Sequence, residues 1–179
     1  MQILEINPDI RLHRMQLSDS EDIFKAIDCQ RDYLRVWLPF VDNLRTVEDE
    51  ADFIRGVLSV PEERQELLFI IRYQGVFAGL AGFKDTDRLN GRTEIGYWLG
   101  EVFQGKGIMT MVVKELCRLA FRELGMHRIQ IRCAAGNQRS RNIPLRLGFM
   151  QEGIERDGEL LVDGHYTDLV VYSRLATDK

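Results

Sequence analysis

Apolar and polar residues alternate along this chain at two different periods, and the switches between them mark its elements. Ile10 and Leu12 alternate with Arg11 and His13, and that period of two, carried on to Arg14, predicts a first strand. Ser18-Asp19-Ser20-Glu21 has the form of a capping box, after which Ile23, Phe24 and Ile27 supply the apolar stripe of a helix. A second amphipathic stretch opens near Thr46. Glu48, Asp49 and Glu50 suit the positive end of a helix, Phe53, Ile54, Val57 and Leu58 form its inner face, and Pro61 lies beyond its end.

Residues 67–73 and 76–84 flank Gln74-Gly75 and predict a hairpin, with Gly79 and Gly82 marking places where another element approaches closely. A strand over 94–99 precedes a long helix whose stripe is Ile108, Val112, Leu116 and Leu119. Residues 127–133 form a strand and 140–147 a short helix, with Pro144 in its first turn, where a missing N–H costs little. Residues 151–161 and 166–175 make a final hairpin around Val162-Asp163-Gly164-His165. The order β-α-α-β-β-β-α-β-α-β-β predicts an α/β layered fold on a mixed sheet.

Composition narrows the class without choosing a function. At 179 residues the chain is most simply one domain spanning 1–179, with one substantial core. A net charge of −4 gives no basic footprint for nucleic acid and is compatible with a cationic amine. Cys29, Cys117 and Cys133 are too scattered for a disulfide framework or metal cluster and read as free, mostly buried thiols of a cytoplasmic protein. His13, His127 and His165 have no metal-ligand spacing. The first residues lack the form of a signal peptide, and no apolar run is long enough to span a membrane.

The chemistry concentrates in Gly100-Glu101-Val102-Phe103-Gln104-Gly105-Lys106-Gly107-Ile108, between a predicted strand and a predicted helix. Unpartnered N–H groups and the helix dipole favour an anion there, and glycines let backbone approach it. A nucleotide P-loop would match Gly100, Gly105 and Lys106 but needs a hydroxyl where Gly107 stands, and Thr110 comes too late. The strand at 128–133 also lacks an aspartate to hold Mg²⁺. The alternative phosphate is the pyrophosphate of coenzyme A.

Three motifs favour that alternative. Gln104-Gly105-Lys106-Gly107-Ile108-Met109 resembles the Q/R-x-x-G-x-G/A signature of the GNAT acetyltransferase superfamily, with Met109 departing at the last small position. Glu94-Ile95-Gly96-Tyr97-Trp98-Leu99 and the stretch from Asn137 and Ser140 to Gly148-Phe149 resemble its RimJ/RimL-type branch, which acetylates protein N-termini. The Arg156-Asp157-Gly158 turn and Asp168-Leu169-Val170 are similar as well. The resemblance implies a GNAT fold with a mixed, mostly antiparallel sheet of about seven strands flanked by about four helices. It also implies acetyl-CoA as acetyl donor with no metal, and self-association.

The same resemblance assigns roles. Gln104, Gly105, Lys106, Gly107, Ile108 and Met109 would bind the pyrophosphate and Asn137 the pantetheine arm. Tyr97, Trp98 and Leu99 lie on a strand that in the family splays from its neighbour, the acyl arm filling the gap and a main-chain N–H near Leu99 facing the thioester oxygen. Glu94, in an apolar strand, is the first candidate for general base and Glu159 the second. The helix after Asn137 has no tyrosine, so Ser140 is either the acid for the leaving thiolate, beside the cofactor, or an N-cap. Tyr33, Trp37, Leu38 and Phe40, with Trp98, are candidates to edge an acceptor cleft, although Trp37 also suits a core. An α-amine titrates near 7.7–8.0 and a lysine near 10.4, so a protein N-terminus is the easier acceptor. A small amine (polyamine, aminoglycoside or amino acid) and a non-catalytic acyl-CoA sensor remain alternatives.

Overall fold

The structure, a computed structural model, describes residues 3–61 and 66–178. Among them are eight strands and five α-helices: β1 (Ile3–Glu5), β2 (Ile10–Arg14), α1 (Ser20–Asp28), α2 (Arg31–Leu34), α3 (Val47–Ser59), β3 (Leu68–Tyr73), β4 (Val76–Asp87), β5 (Arg92–Leu99), α4 (Ile108–Arg122), β6 (Arg128–Ala134), α5 (Gln138–Arg146), β7 (Met150–Leu160) and β8 (Tyr166–Leu175). The strands form one sheet in the order β1-β2-β3-β4-β5-β6-β8-β7. β5 pairs with β6 in parallel, and the other registered pairs are antiparallel. A parallel neighbour needs a crossover, and α4 supplies it. This is the expected α/β fold on a mixed, mostly antiparallel sheet. β1 and α2, three and four residues long, are too short to show a period and were not legible in the pattern.

Two compact units make up the fold: residues up to Gly82 with Tyr97–Ile108, and Phe83–Gly96 with the chain from Met109 onward. The first is built on Met15, Ile23, Ile27, Leu34, Val41, Leu44, Ile54, Leu68, Ile70 and Phe77. Thr46 caps α3 as expected, its hydroxyl accepting the Asp49 N–H while the Asp49 carboxylate accepts the N–H of Thr46. The buried face of α3 is Glu50, Ala51 and Ile54, whereas Phe53 and Leu58, expected inside, are exposed. Ser18 does not cap α1. A 3-10 turn (Leu17–Asp19) comes first, and the Asp19 carboxylate accepts the N–H of Gln16. Gln74 and Gly75 both have positive φ, the geometry of a tight hairpin turn. Gly79 has no room for a side chain, since a Cβ would lie 2.3 Å from the Trp98 carbonyl oxygen.

The expected stripe of α4 is buried, and in the second unit Ile129, Ile131, Phe149, Val170 and Tyr172 are buried as well. Cys117 and Cys133 are buried, burial pushing the Cys117 thiol up to about 12, while Cys29 is exposed. α5 begins earlier than predicted, with Asn137 as its N-cap, so Pro144 falls near its end rather than in its first turn. A proline there cannot donate to the Ser140 carbonyl, and the helix stops two residues later. The Arg156-Asp157-Gly158 stretch is a bulge inside β7, not a turn.

Candidate active site

The glycine turn expected to bind an anion has the predicted form. β5 ends at Leu99, a 3-10 turn covers Glu101–Phe103, Gln104 is extended, and α4 starts at Ile108. Gly105 and Gly107 have φ of 73° and 72°, which excludes most other residues. A Cβ at either would meet nothing within 4 Å, so conformation rather than crowding requires glycine, and the outer side of the turn is open. The first N–H groups of α4 have no intrahelical acceptor. Ile108 and Met109 bury their side chains, so the departure at Met109 alters the interior rather than the main-chain donors. The Lys106 ammonium lies 5.1 Å from the Tyr73 ring centroid and 5.7 Å from that of Phe103, resting on an edge-to-face aromatic pair.

The chain leading into the turn is held by main-chain contacts of the same unit. Gly100 donates its N–H to the Ala78 carbonyl at 2.8 Å, and Trp98 packs on Phe77 with ring centroids 5.7 Å apart. Tyr97, Trp98 and Leu99 are partly buried. The parallel register of β5 on β6 stops at Glu94 opposite Gln130, although β6 continues to Ala134.

Chemistry-bearing side chains gather in the second unit on one face of its strands. Glu94 is 4% exposed, with one carboxylate oxygen 3.0 Å from the Lys84 ammonium and the other 2.7 Å from Arg132 Nε. Gln130 donates to the second oxygen at 3.4 Å, and Arg132 also reaches Glu155 at 3.3 Å. Glu159 is half-buried beside this cluster. Burial pushes its carboxyl up; Lys84 and Arg132 oppose that shift and Glu94 adds to it. The β7 bulge brings Glu159 there: Asp157 has φ of 51°, its N–H donates to Asp168, and the register against β8 shifts between Glu155 and Glu159. Glu152, on the same strand, is held at about 2 by Arg128 and Ser173.

Sequence reasoning singled out Glu94 and Glu159 but missed Lys84, Gln130 and Arg132. The alternation of Arg128, Gln130 and Arg132 in an otherwise apolar strand was the available signal, since residues two apart share a face.

At the start of α5 the Asn137 side chain accepts the Ser140 N–H at 3.1 Å, which makes Asn137 the cap and removes that role from Ser140. The Ser140 hydroxyl instead lies 3.2 Å from the Cys133 sulfur. Among the acceptor candidates, Tyr33, Leu38 and Trp98 pack against the first unit's core, Trp37 is partly buried and Phe40 is exposed. The Tyr33 hydroxyl is bonded by the Gln104 side chain and lies 3.5 Å from the Leu99 carbonyl, so it supports the turn rather than facing outward. No helix among the described residues is long and apolar enough to cross a membrane.

Known proteins share this fold. The family model described as an acetyltransferase (GNAT) domain matches residues 9–150. YdaF of Bacillus subtilis (strain 168) is 34% identical over 177 residues, 96% of this chain and 93% of its own length. The ribosomal-protein-serine acetyltransferase of Escherichia coli (strain K12) is 26% identical over 172 residues, 96% of each chain. Among solved structures, RimL, a ribosomal L7/L12 α-N-protein acetyltransferase in complex with coenzyme A, superposes with a TM-score of 0.92 at 25% identity, covering 97% of this chain and 98% of that one.

Proposed function

This chain belongs to the GNAT acetyltransferase family, and from that premise we propose that it moves an acetyl group from acetyl-CoA directly to the N-terminal α-amine of a protein, of the ribosomal kind its relatives modify. The observation that carries the reading is the turn at Gln104–Ile108: two left-handed glycines open the N-terminus of a fifteen-residue helix to an anion. Main-chain N–H groups there hold the pyrophosphate, Lys106 adds charge, and Asn137 bonds the pantetheine arm. A family match over most of the chain favours coenzyme A over ATP at this turn.

The reaction needs a neutral amine, a stabilised oxyanion and a proton for the thiolate. Glu159 takes the amine proton, because a carboxyl raised by burial is the better base near neutral pH. Glu94, whose two oxygens already face Lys84 and Arg132, orders that cluster around Glu159. The amine nitrogen then attacks the thioester carbon, the Leu99 N–H bonds the oxyanion, the C–S bond breaks, and Ser140 gives its proton to the departing sulfur. One oxyanion donor is worth about 3 kcal/mol of barrier. Trp37, Phe40 and Trp98 border the incoming chain.

A thermal-shift comparison of acetyl-CoA, coenzyme A and Mg-ATP tests the premise; a ligand at 100 times its Kd adds about 2.7 kcal/mol. Stabilisation by both coenzyme A forms but not ATP is expected, and stabilisation by ATP alone would reverse the choice of phosphate. Peptides with free N-termini are then expected to be acetylated in preference to polyamines and aminoglycosides. Ser140→Ala is expected to lower turnover with acetyl-CoA affinity unchanged; loss of affinity and stability together would make Ser140 structural.

A further inference from the structure

We infer that residues 30–35 link the cofactor turn to the acceptor segment, with Gln30 and Tyr33 as positioning residues through which coenzyme A at Gln104–Ile108 orders residues 37–44. The inference rests on the reading of that turn as the coenzyme A site.

Everything involved lies within the first unit. α1 ends at Asp28, and Gln30, at φ −142° and ψ 33°, turns the chain into α2. The Gln30 amide nitrogen donates to the Ala26 carbonyl at 2.6 Å, while its oxygen accepts the Glu101 N–H at 2.9 Å. One side chain thus satisfies a carbonyl left over at the end of a helix and an N–H left over at the start of the 3-10 turn. Three residues on, the Tyr33 hydroxyl meets the Leu99 carbonyl and the Gln104 side chain, gripping that turn on both sides.

Arg31 and Arg35 hold the acceptor segment instead. The Arg31 guanidinium donates to the Val41 carbonyl at 2.8 Å and the Leu44 carbonyl at 2.6 Å, and its Nε to Asp28 at 2.7 Å. Arg35 forks onto Asp42 at 2.9 and 2.6 Å. Residues 30 and 33 share one side of a helical stretch, and 31 and 35 share another, the spacing that lets one turn of helix serve two neighbours. The loop bearing Trp37 and Phe40 is therefore tied to the same short helix as the loop that would hold the pyrophosphate. A ligand that orders the turn lowers the cost of ordering the acceptor segment, and such coupling is reciprocal.

Amide hydrogen exchange of the full chain, with and without saturating coenzyme A, reads this directly. In the wild type, exchange is expected to slow over 104–108 and by about fivefold or more over 37–44, the lower range of site-to-site coupling. In Tyr33→Phe and Gln30→Met the slowing over 104–108 persists while that over 37–44 disappears. Two variants guard against one misfolding, and the wild-type comparison stands by itself. Faster basal exchange in the variants with an unchanged ligand effect would reduce these residues to structural braces and overturn the inference. So would a wild type protected at 104–108 but not at 37–44, with the cofactor reading intact. No protection at 104–108 would overturn that reading, and this inference with it.

Discussion

Glu50 and Glu94 are equally buried, at 3% and 4% exposure, yet they sit in opposite kinds of surroundings. Glu94 stands on a strand of the second unit, with Lys84 and Arg132 on its two oxygens and Gln130 beside them. Glu50 stands on the inner face of α3 in the first unit beside Ala51 and Ile54, and burial alone raises its carboxyl to about 7. Burial of an acid is therefore not a mark of catalysis. The charged and polar groups around it decide whether the carboxyl belongs to a cluster or stands as a lone desolvated acid. Glu159 lies between these extremes: half-buried, raised, and within the field of the Glu94 cluster.

The contrast predicts different consequences for the same chemical change. Glu159→Gln is expected to lower kcat by about 10²–10⁴-fold, the usual contribution of a general base, and to abolish the acid limb of the pH–rate profile. That limb should lie above the ordinary glutamate range, because the carboxyl is raised. Acetyl-CoA affinity should not change. A variant that keeps its turnover would return the role of base to Glu94. Glu94→Gln acts mainly on stability. It leaves two cations facing a neutral amide, and breaking a buried pair costs about 3 kcal/mol, the low end of the range because Lys84 and Arg132 keep part of their solvent contact. Chemical denaturation measures the cost, and a change below about 1 kcal/mol would place these pairs with ordinary surface ion pairs.

Main-chain chemistry was the more legible part of the sequence. The left-handed turn at Gly105 and Gly107 needs glycine for a local reason, so the residue type announces the conformation. The same holds for Gln74-Gly75, the Thr46 cap and the close approach at Gly79. What depends on tertiary placement was hidden. Asn137 and Ser140 both suit an N-cap by composition, and only the start of α5 decides between them. Phe53 and Leu58 fit a helical stripe, but the core meets α3 along Glu50, Ala51 and Ile54. Glu50 itself passed for an acid placed to suit the helix dipole. The Arg156-Asp157-Gly158 bulge, which sets the aim of Glu159, reads locally as a turn.

Glu50 gives the sharpest pH test of the comparison, because its effect should appear in stability and not in activity. Its folded value of about 7 lies above its ordinary 4.5, so the unfolded chain releases the proton first as pH rises. The stability is complete below about pH 4.5 and declines as pH climbs through about 7, by up to about 1.4 kcal/mol per pH unit and about 3 kcal/mol in all. Glu50→Gln removes the titration while keeping the size of the side chain. Wild type and variant should then match near pH 4 and separate steadily above it, the variant being the more stable at pH 8. Turnover at a fixed pH should be the same for both. A constant difference between the two at every pH would mean that Glu50 does not titrate across this interval, and its distinction from Glu94 would collapse.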